Sequence, residues 1–328
     1  MRKIFRGKIM RLSFDEIKKV TVGSVKTWQD DSGIHFAKCT DKQVATWKEK
    51  SETIGRNSAA TTGVRLDLHT NSQSIAVGIL GGKKYEICVD GLMRQQYNVN
   101  AGDVISLELS DPTGMKKDEY RVTVVFPSHD DPAVIEYVEL DDGSYVKPHK
   151  YDRKILFIGD SITQGWAAIH DSYSYAYRVS DFFNAESVIQ GTGGAYFHED
   201  CFDHIDFDPD VVFMSYGTND FSRFKNYDEL RAHADAHMAL VSEKYSGKKL
   251  FCISPIWRDK REGKKMGSFE GCRNIIIECA KKYGFEHIDG LTLVPPRPEL
   301  FEDGFLHPNE IGFSFYSENL IRQLVGKI

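Results

Sequence analysis

The chain has 328 residues, of which 41% are hydrophobic and 27% charged, and its formal net charge is −6. That length suits two domains of ordinary size better than one small core, and the composition excludes a disordered or fibrous chain. With 42 basic residues spread along an acidic total, there is no electrostatic footprint for nucleic acid.

The basic start, Met1 to Lys8, resembles the n-region of a secretory signal, but Arg11, Asp15, Glu16, Lys18 and Lys19 interrupt any apolar core behind it. No stretch approaches the ~18 apolar residues of a membrane span. Together these features predict a cytoplasmic protein that makes no membrane contact. Residues 63–68, 74–80, 85–89, 97–99, 104–109, 120–126 and 134–140 then form strand-like runs, with turn residues such as Gly81-Gly82 and Asp90-Gly91 between them. Period-2 alternation with turns every eight to twelve residues predicts an antiparallel, jelly-roll-like β-sandwich over residues 1–148. Trp28 and Trp47 in this part suit ligand stacking and core or interface packing equally well.

The texture changes after Val146-Lys147-Pro148-His149-Lys150. Residues 154–158 are continuously apolar, as expected of a strand buried on both faces of a parallel sheet, and residues 188–189, 211–214 and 250–253 repeat the pattern. Amphipathic stretches at 227–244 and 269–283 lie between and after them. Residues 149–328 therefore predict an α/β domain with an open parallel sheet, whose ligands bind at the carboxyl ends of the strands. Pro295-Pro296-Arg297-Pro298 reads as a rigid connector before a last helix. The six cysteines (39, 88, 201, 252, 272 and 279) show no zinc-ligand or redox spacing, so all are read as reduced. No metal or cofactor is expected.

Four polar motifs follow the predicted strands. Gly159-Asp160-Ser161 follows the first. A serine at a strand-to-helix turn can cap the helix, or it can present its hydroxyl at the sheet edge beside backbone N–H groups. Gln190-Gly191-Thr192-Gly193-Gly194 is either a flexible loop or a stretch of backbone able to approach a ligand closely. Gly217-Thr218-Asn219-Asp220 offers either an Asx turn or a side-chain amide for a developing oxyanion. Asp303-Gly304-Phe305-Leu306-His307-Pro308 enters the last helix with a histidine and a nearby carboxylate, the requirements of an oriented general base.

Taken in this order, the four motifs resemble the blocks of the SGNH, or GDSL, superfamily of esterases and acylhydrolases. The resemblance covers roughly residues 150–328. The N-terminal half is more loosely similar to the sandwich that precedes this fold in family-two carbohydrate acetylesterases. The resemblance implies a flavodoxin-like three-layer hydrolase domain at 149–328. It further implies Ser161 as nucleophile, His307 as base, Asp303 as its carboxylate, and an oxyanion hole from the Ser161 and Gly191 N–H groups and the Asn219 amide. Two departures stand out. Ile189 occupies the place of the family's second-block asparagine, and Asp303 lies four residues before His307 where the family carboxylate lies three before, so a backbone carbonyl is an alternative partner for the histidine.

Trp166, Tyr196, Trp257 and Arg258 lie near the blocks and are expected to bind substrate, because flat rings suit sugars and limit acyl-chain length. The expected activity is removal of short acyl groups, acetyl above all, from carbohydrates such as acetylated xylo- or manno-oligosaccharides. The alternatives are a lysophospholipase or thioesterase, a sugar acetyltransferase, and a catalytically decayed carbohydrate-binding protein. The expected partner is a small-molecule or oligosaccharide ester, and the sequence also admits a homo-oligomer.

Overall fold

The computed structural model describes residues 7–129, 131–261 and 264–328. The first six residues of the basic start lie outside them. The chain divides into two compact units, one comprising residues 1–38, 59–151 and 170–172, the other residues 39–58, 152–169 and 173–328.

The first unit carries strands β1 (Ile9–Arg11), β2 (Thr21–Val22), β3 (Lys26–Asp30), β4 (Gly33–Ala37), β5 (Arg65–Thr70), β6 (Ser74–Gly81), β7 (Lys84–Val89), β8 (Leu92–Asn98), β9 (Val104–Glu108), β10 (Tyr120–Val125), β11 (Val134–Asp141) and β12 (Lys147–Pro148), with helix α1 (Phe14–Val20) after β1. They form two antiparallel sheets. One runs β3-β4-β11-β6-β9 with β1 on β11, the other β12-β5-β10-β7-β8 with β2 on β5. Alternate residues of both sheets, among them Leu66, Leu68, Val77, Ile87, Val122, Val124 and Ile135, bury into one shared core. Asp90 and Gly91, both at positive φ, make the tight β7–β8 turn that this dipeptide predicts. The sequence-predicted sandwich is therefore present. Trp28 stacks on His35 at 5.0 Å between ring centroids.

The second unit has a five-stranded parallel sheet, from β13 (Arg153–Gly159), β14 (Ala185–Gly191), β15 (Val211–Ser215), β16 (Lys249–Ile253) and β17 (Glu286–Ile288), in the order β14-β13-β15-β16-β17. That is the flavodoxin-like doubly wound order, and it confirms the predicted fold class. The central strands are apolar because both of their faces are covered. Ile155 and Phe157 join the core shared with Tyr175, Phe313, Tyr316 and Leu320, and a stack of Phe157, Phe213 and Phe251 crosses three strands at 5.0 and 5.2 Å. Leu156, Met214 and Cys252 are buried as well and, by strand alternation, point to the opposite face.

The described residues of this unit also form helices α2 (Asp41–Lys50), α3 (Glu52–Ala59, all but its last residue), α4 (Ser161–Gln164), α5 (Tyr175–Phe182), α6 (Thr218–Arg223), α7 (Tyr227–Lys244), α8 (Phe269–Lys282) and α9 (Glu310–Leu324). Helix α2 carries a capping box, Thr40 with Gln43, and buries Trp47 edge-on against Tyr196, so Trp47 is a packing residue. All six cysteines are free and buried. No helix among the described residues is long and apolar enough to cross a membrane.

Candidate active site

The carboxyl end of β13 leads directly into α4. Asp160 is the N-cap and accepts the Ile162 N–H at 2.9 Å, while Gly165, in the left-handed region, closes the helix after a single turn. The turn is tight, since a Cβ on Gly159 would lie 2.1 Å from Thr163 Oγ1. Ser161 is therefore the first helical residue, with its N–H among those that an α-helix leaves unpaired. Its Oγ lies 3.0 Å from His307 Nε2.

His307 comes from the turn before α9. The same turn holds its carboxylate: Asp303 Oδ2 is 2.7 Å from His307 Nδ1, and Oδ1 accepts the N–H groups of Phe305, Leu306 and His307 at 3.0, 2.8 and 3.1 Å. Gly304, at φ 72°, supplies the left-handed residue that this curl needs. The additional loop residue thus reels the carboxylate in. Burial alone would raise the Asp303 pKa, but the three backbone N–H groups and His307 bring it below the usual carboxylate value. Asn309 then caps α9 through the Ile311 and Gly312 N–H groups.

Gly191 ends β14 in register with Gly159, and a Cβ there would meet the Gln164 backbone nitrogen at 2.3 Å. Only glycine lets β14 end this close to helix α4. Three residues on, Gly194 sits at φ 85° and its N–H makes no hydrogen bond among the described residues. Asn219, in the first turn of α6, donates Nδ2 to the carbonyl of Ala195 at 2.9 Å, which holds its amide beside Gly194. Gly194 thus offers a further backbone N–H on this loop, beside the Gly191 that the sequence singles out. The third glycine of the same tract was the available signal.

The four aromatic and basic side chains expected at the substrate separate into two pairs. Trp166 is exposed, with its ring 6.3 Å from that of His307, and Trp257 is half-buried against Phe301 at 4.9 Å. Tyr196 is buried against Trp47 and Phe224 and covered by the Arg223 guanidinium. Arg258 is buried too, and its Nη1 donates to the Thr218 carbonyl at 2.7 Å and to Thr218 Oγ1 at 3.1 Å. Arg258 thereby fixes the helix that carries Asn219.

Beneath the site lie two fully buried carboxyls. Burial pushes Asp160 up to about 7, with the charge of Asp220 adding to the effect, and burial likewise pushes Asp220 up to about 7. Asp220 Oδ1 accepts the Phe197 N–H at 2.9 Å, tying the glycine loop to α6. Because the folded values exceed the ordinary 3.8, the stability these acids contribute is complete below 3.8 and is lost as pH rises through about 7. Buried His237, held at about 4, works in the opposite sense over part of that range, so the informative quantity is a difference between variants. Between about pH 5 and about pH 8, the thermal midpoint of Asp220→Asn should fall less than that of the wild type. Parallel melting curves across that window would refute the shift.

Residues 157–314, within the second unit, match the model of the GDSL-like Lipase/Acylhydrolase family. Among solved structures, the chain is similar to a salicylyl-acyltransferase from a tetracycline biosynthetic pathway, at 16% identity over 94% of each chain and a TM-score of 0.79. It is also similar to a GDSL-like lipase from Bacteroides ovatus, at 16% identity over 97% of this chain and 98% of the other with a TM-score of 0.74. A family two carbohydrate esterase from Cellvibrio japonicus follows at 15% identity over 97% of both chains, with a TM-score of 0.68. At such identities the likeness establishes the two-domain fold alone. No curated protein sequence matches the chain.

Proposed function

We propose that the protein is a serine ester hydrolase that removes acetyl or similarly short acyl groups from carbohydrates through an acyl-enzyme on Ser161. The observation that carries this reading is the continuous chain from Ser161 Oγ to His307 Nε2 at 3.0 Å and from His307 Nδ1 to Asp303 Oδ2 at 2.7 Å. In it, His307 takes the Ser161 proton as Oγ attacks the ester carbonyl, then delivers that proton to the leaving alcohol. Water repeats the sequence to release the acid. The oxyanion is held by the Ser161 N–H, the Asn219 amide and the glycine loop, where Gly194 has the unbonded N–H. The Asn219 bond to Ala195 engages one amide hydrogen and leaves the second for the oxyanion.

Asn219→Ala is expected to fold normally and to lose about 10²–10³ in kcat, with KM changed far less. Unchanged turnover would remove Asn219 from the oxyanion hole. Trp166 and Trp257 are the aromatic faces left for a sugar ring. The likeness to carbohydrate esterases supports a carbohydrate as the alcohol portion of the ester, and the test is acetate release from acetylated xylo-, manno- and gluco-oligosaccharides beside a chain-length series of simple esters. Preference for esters longer than about eight carbons would point instead to a lysophospholipase or thioesterase. The likeness to an acyltransferase favours a second reading, transfer of the acyl group to a sugar hydroxyl, and the ratio of acylated acceptor to free acid decides between them.

A further inference from the structure

Away from the triad, the segment after the glycine loop and helix α7 bring a second group of polar side chains together. His198, Glu199 and His233 each offer one ligand atom, and these atoms all lie within 4.8 Å of one another. His198 and Glu199 open the short 3-10 turn Glu199–Cys201, while His233 projects from the second turn of α7. Both histidine rings are held in place. His233 stacks on Phe224 at 5.1 Å, with the ring planes 6° apart, and the His198 ring lies 5.0 Å from that of His233. The His198 backbone N–H donates to His237 Nδ1 at 3.3 Å.

The cluster has an unmet bonding need. His198 Nδ1 is buried without a hydrogen-bond partner, and the nearest carboxylate oxygen, Asp200 Oδ2, is 3.7 Å away. Buried polar atoms are rarely left so, and one aimed at other metal-ligating groups calls for an electron-pair acceptor. Glu199 and Asp200 together carry the charge that a divalent cation neutralises.

We propose that His198, Glu199 and His233 bind a structural Zn²⁺ ion, with Asp200 as the fourth ligand. Two imidazoles and two carboxylates are an N/O donor set that zinc accepts in tetrahedral geometry. Ligand atoms around such an ion lie roughly 3.3 Å apart. The spacing of the His198, Glu199 and His233 ligand atoms, from 2.8 Å between His233 Nδ1 and Glu199 Oε2 up to 4.8 Å, needs only small side-chain movements to match it, and Asp200 Oδ2 is 3.7 Å from His198 Nδ1. The ion stands outside the chemistry of the ester. It pins to α7 the segment that runs back through Phe197 and Ala195 to the oxyanion donors, and so stiffens the glycine loop.

The test is zinc titration of the chelator-treated full chain, followed by calorimetry and by the thermal midpoint. One Zn²⁺ per chain and a raised midpoint are expected for the wild type and equally for Ser161→Ala. His233→Ala should lose both effects. Glu199→Gln, a nearly isosteric change in a half-exposed side chain, should weaken binding at least about tenfold while its metal-free circular dichroism matches the wild type. Cobalt in place of zinc should give the intense visible bands of a tetrahedral ion. A wild type that takes up no zinc at micromolar concentration, a Glu199→Gln chain that binds like the wild type, or a weak octahedral cobalt spectrum would each overturn the site. None of these readouts depends on what the protein hydrolyses.

Discussion

Ser161→Ala is expected to reduce kcat/KM on acetyl esters by about 10⁵–10⁶ while leaving the fold intact. Only the hydroxyl is removed, and its polar partner among the described residues is His307 Nε2 at 3.0 Å. His307 is partly solvent-accessible, with a side-chain exposure of 19%, so water can replace the lost contact and stability should change by less than about 1 kcal/mol. The rate is different, because Ser161 is the nucleophile that His307 is placed to activate. What remains is the electrostatic help of the oxyanion donors to attack by water. Initial rates of acetate release and a thermal melt check both halves of the expectation. An organophosphonate adds a second readout: it should label the wild type at Ser161 and leave the variant unmodified. Retention of most of the wild-type rate by the variant would remove Ser161 from the reaction.

The main fold was legible because its signals are periodic. Alternating runs gave β5, β6, β7, β9, β10 and β11 to within a residue or two, and the amphipathic stretches at 227–244 and 269–283 coincide with α7 and α8. Helices α2 and α3 escaped notice. Their apolar residues are sparse, and only the Thr40 and Gln43 capping pair announced α2. Residues 39–58 therefore read as part of the sandwich, although they group with the parallel-sheet unit. At the site, side-chain chemistry was legible and burial was not. Tyr196 and Arg258 had the right residue types near the blocks, but Tyr196 fills the space beside Trp47 and Arg258 braces Thr218. Gly191 and Gly194 likewise look alike in the sequence, although a Cβ on Gly191 would meet the Gln164 backbone and the Gly194 N–H makes no hydrogen bond among the described residues. His198 and His233 lie 35 residues apart, and only the fold brings them together with Glu199.

Asp303→Asn is expected to lower kcat by about 10⁴, close to the effect of losing the nucleophile, although it preserves nearly every contact. In the wild type, Asp303 Oδ1 accepts three backbone N–H groups and Oδ2 accepts the His307 Nδ1 proton. Asparagine can still use its oxygen for the backbone, which forces its NH₂ toward Nδ1. The imidazole must then carry its proton on Nε2, where it faces Ser161 Oγ and cannot accept the serine proton. The variant should therefore melt near the wild type and bind substrate with little change in KM. Asp303→Ala separates the two roles, because it also abandons the backbone N–H groups and should lose about 1–2 kcal/mol of stability in addition. Were Asn to restore activity while Ala abolished it, Asp303 would be a loop-bracing residue, and His307 would draw its orientation from another group. The acid side of the pH profile supplies an independent check. Since Asp303 stays ionised below its ordinary 3.8, it contributes its stabilisation above that value and loses it only as pH falls through the lower folded value. The wild-type His307–Asp303 pair should consequently outlast the ionisation of ordinary carboxylates as acid is added. Any loss of wild-type activity above the ordinary 3.8 should not be accompanied by protonation of Asp303, which carboxylate-selective ¹³C resonances can follow directly.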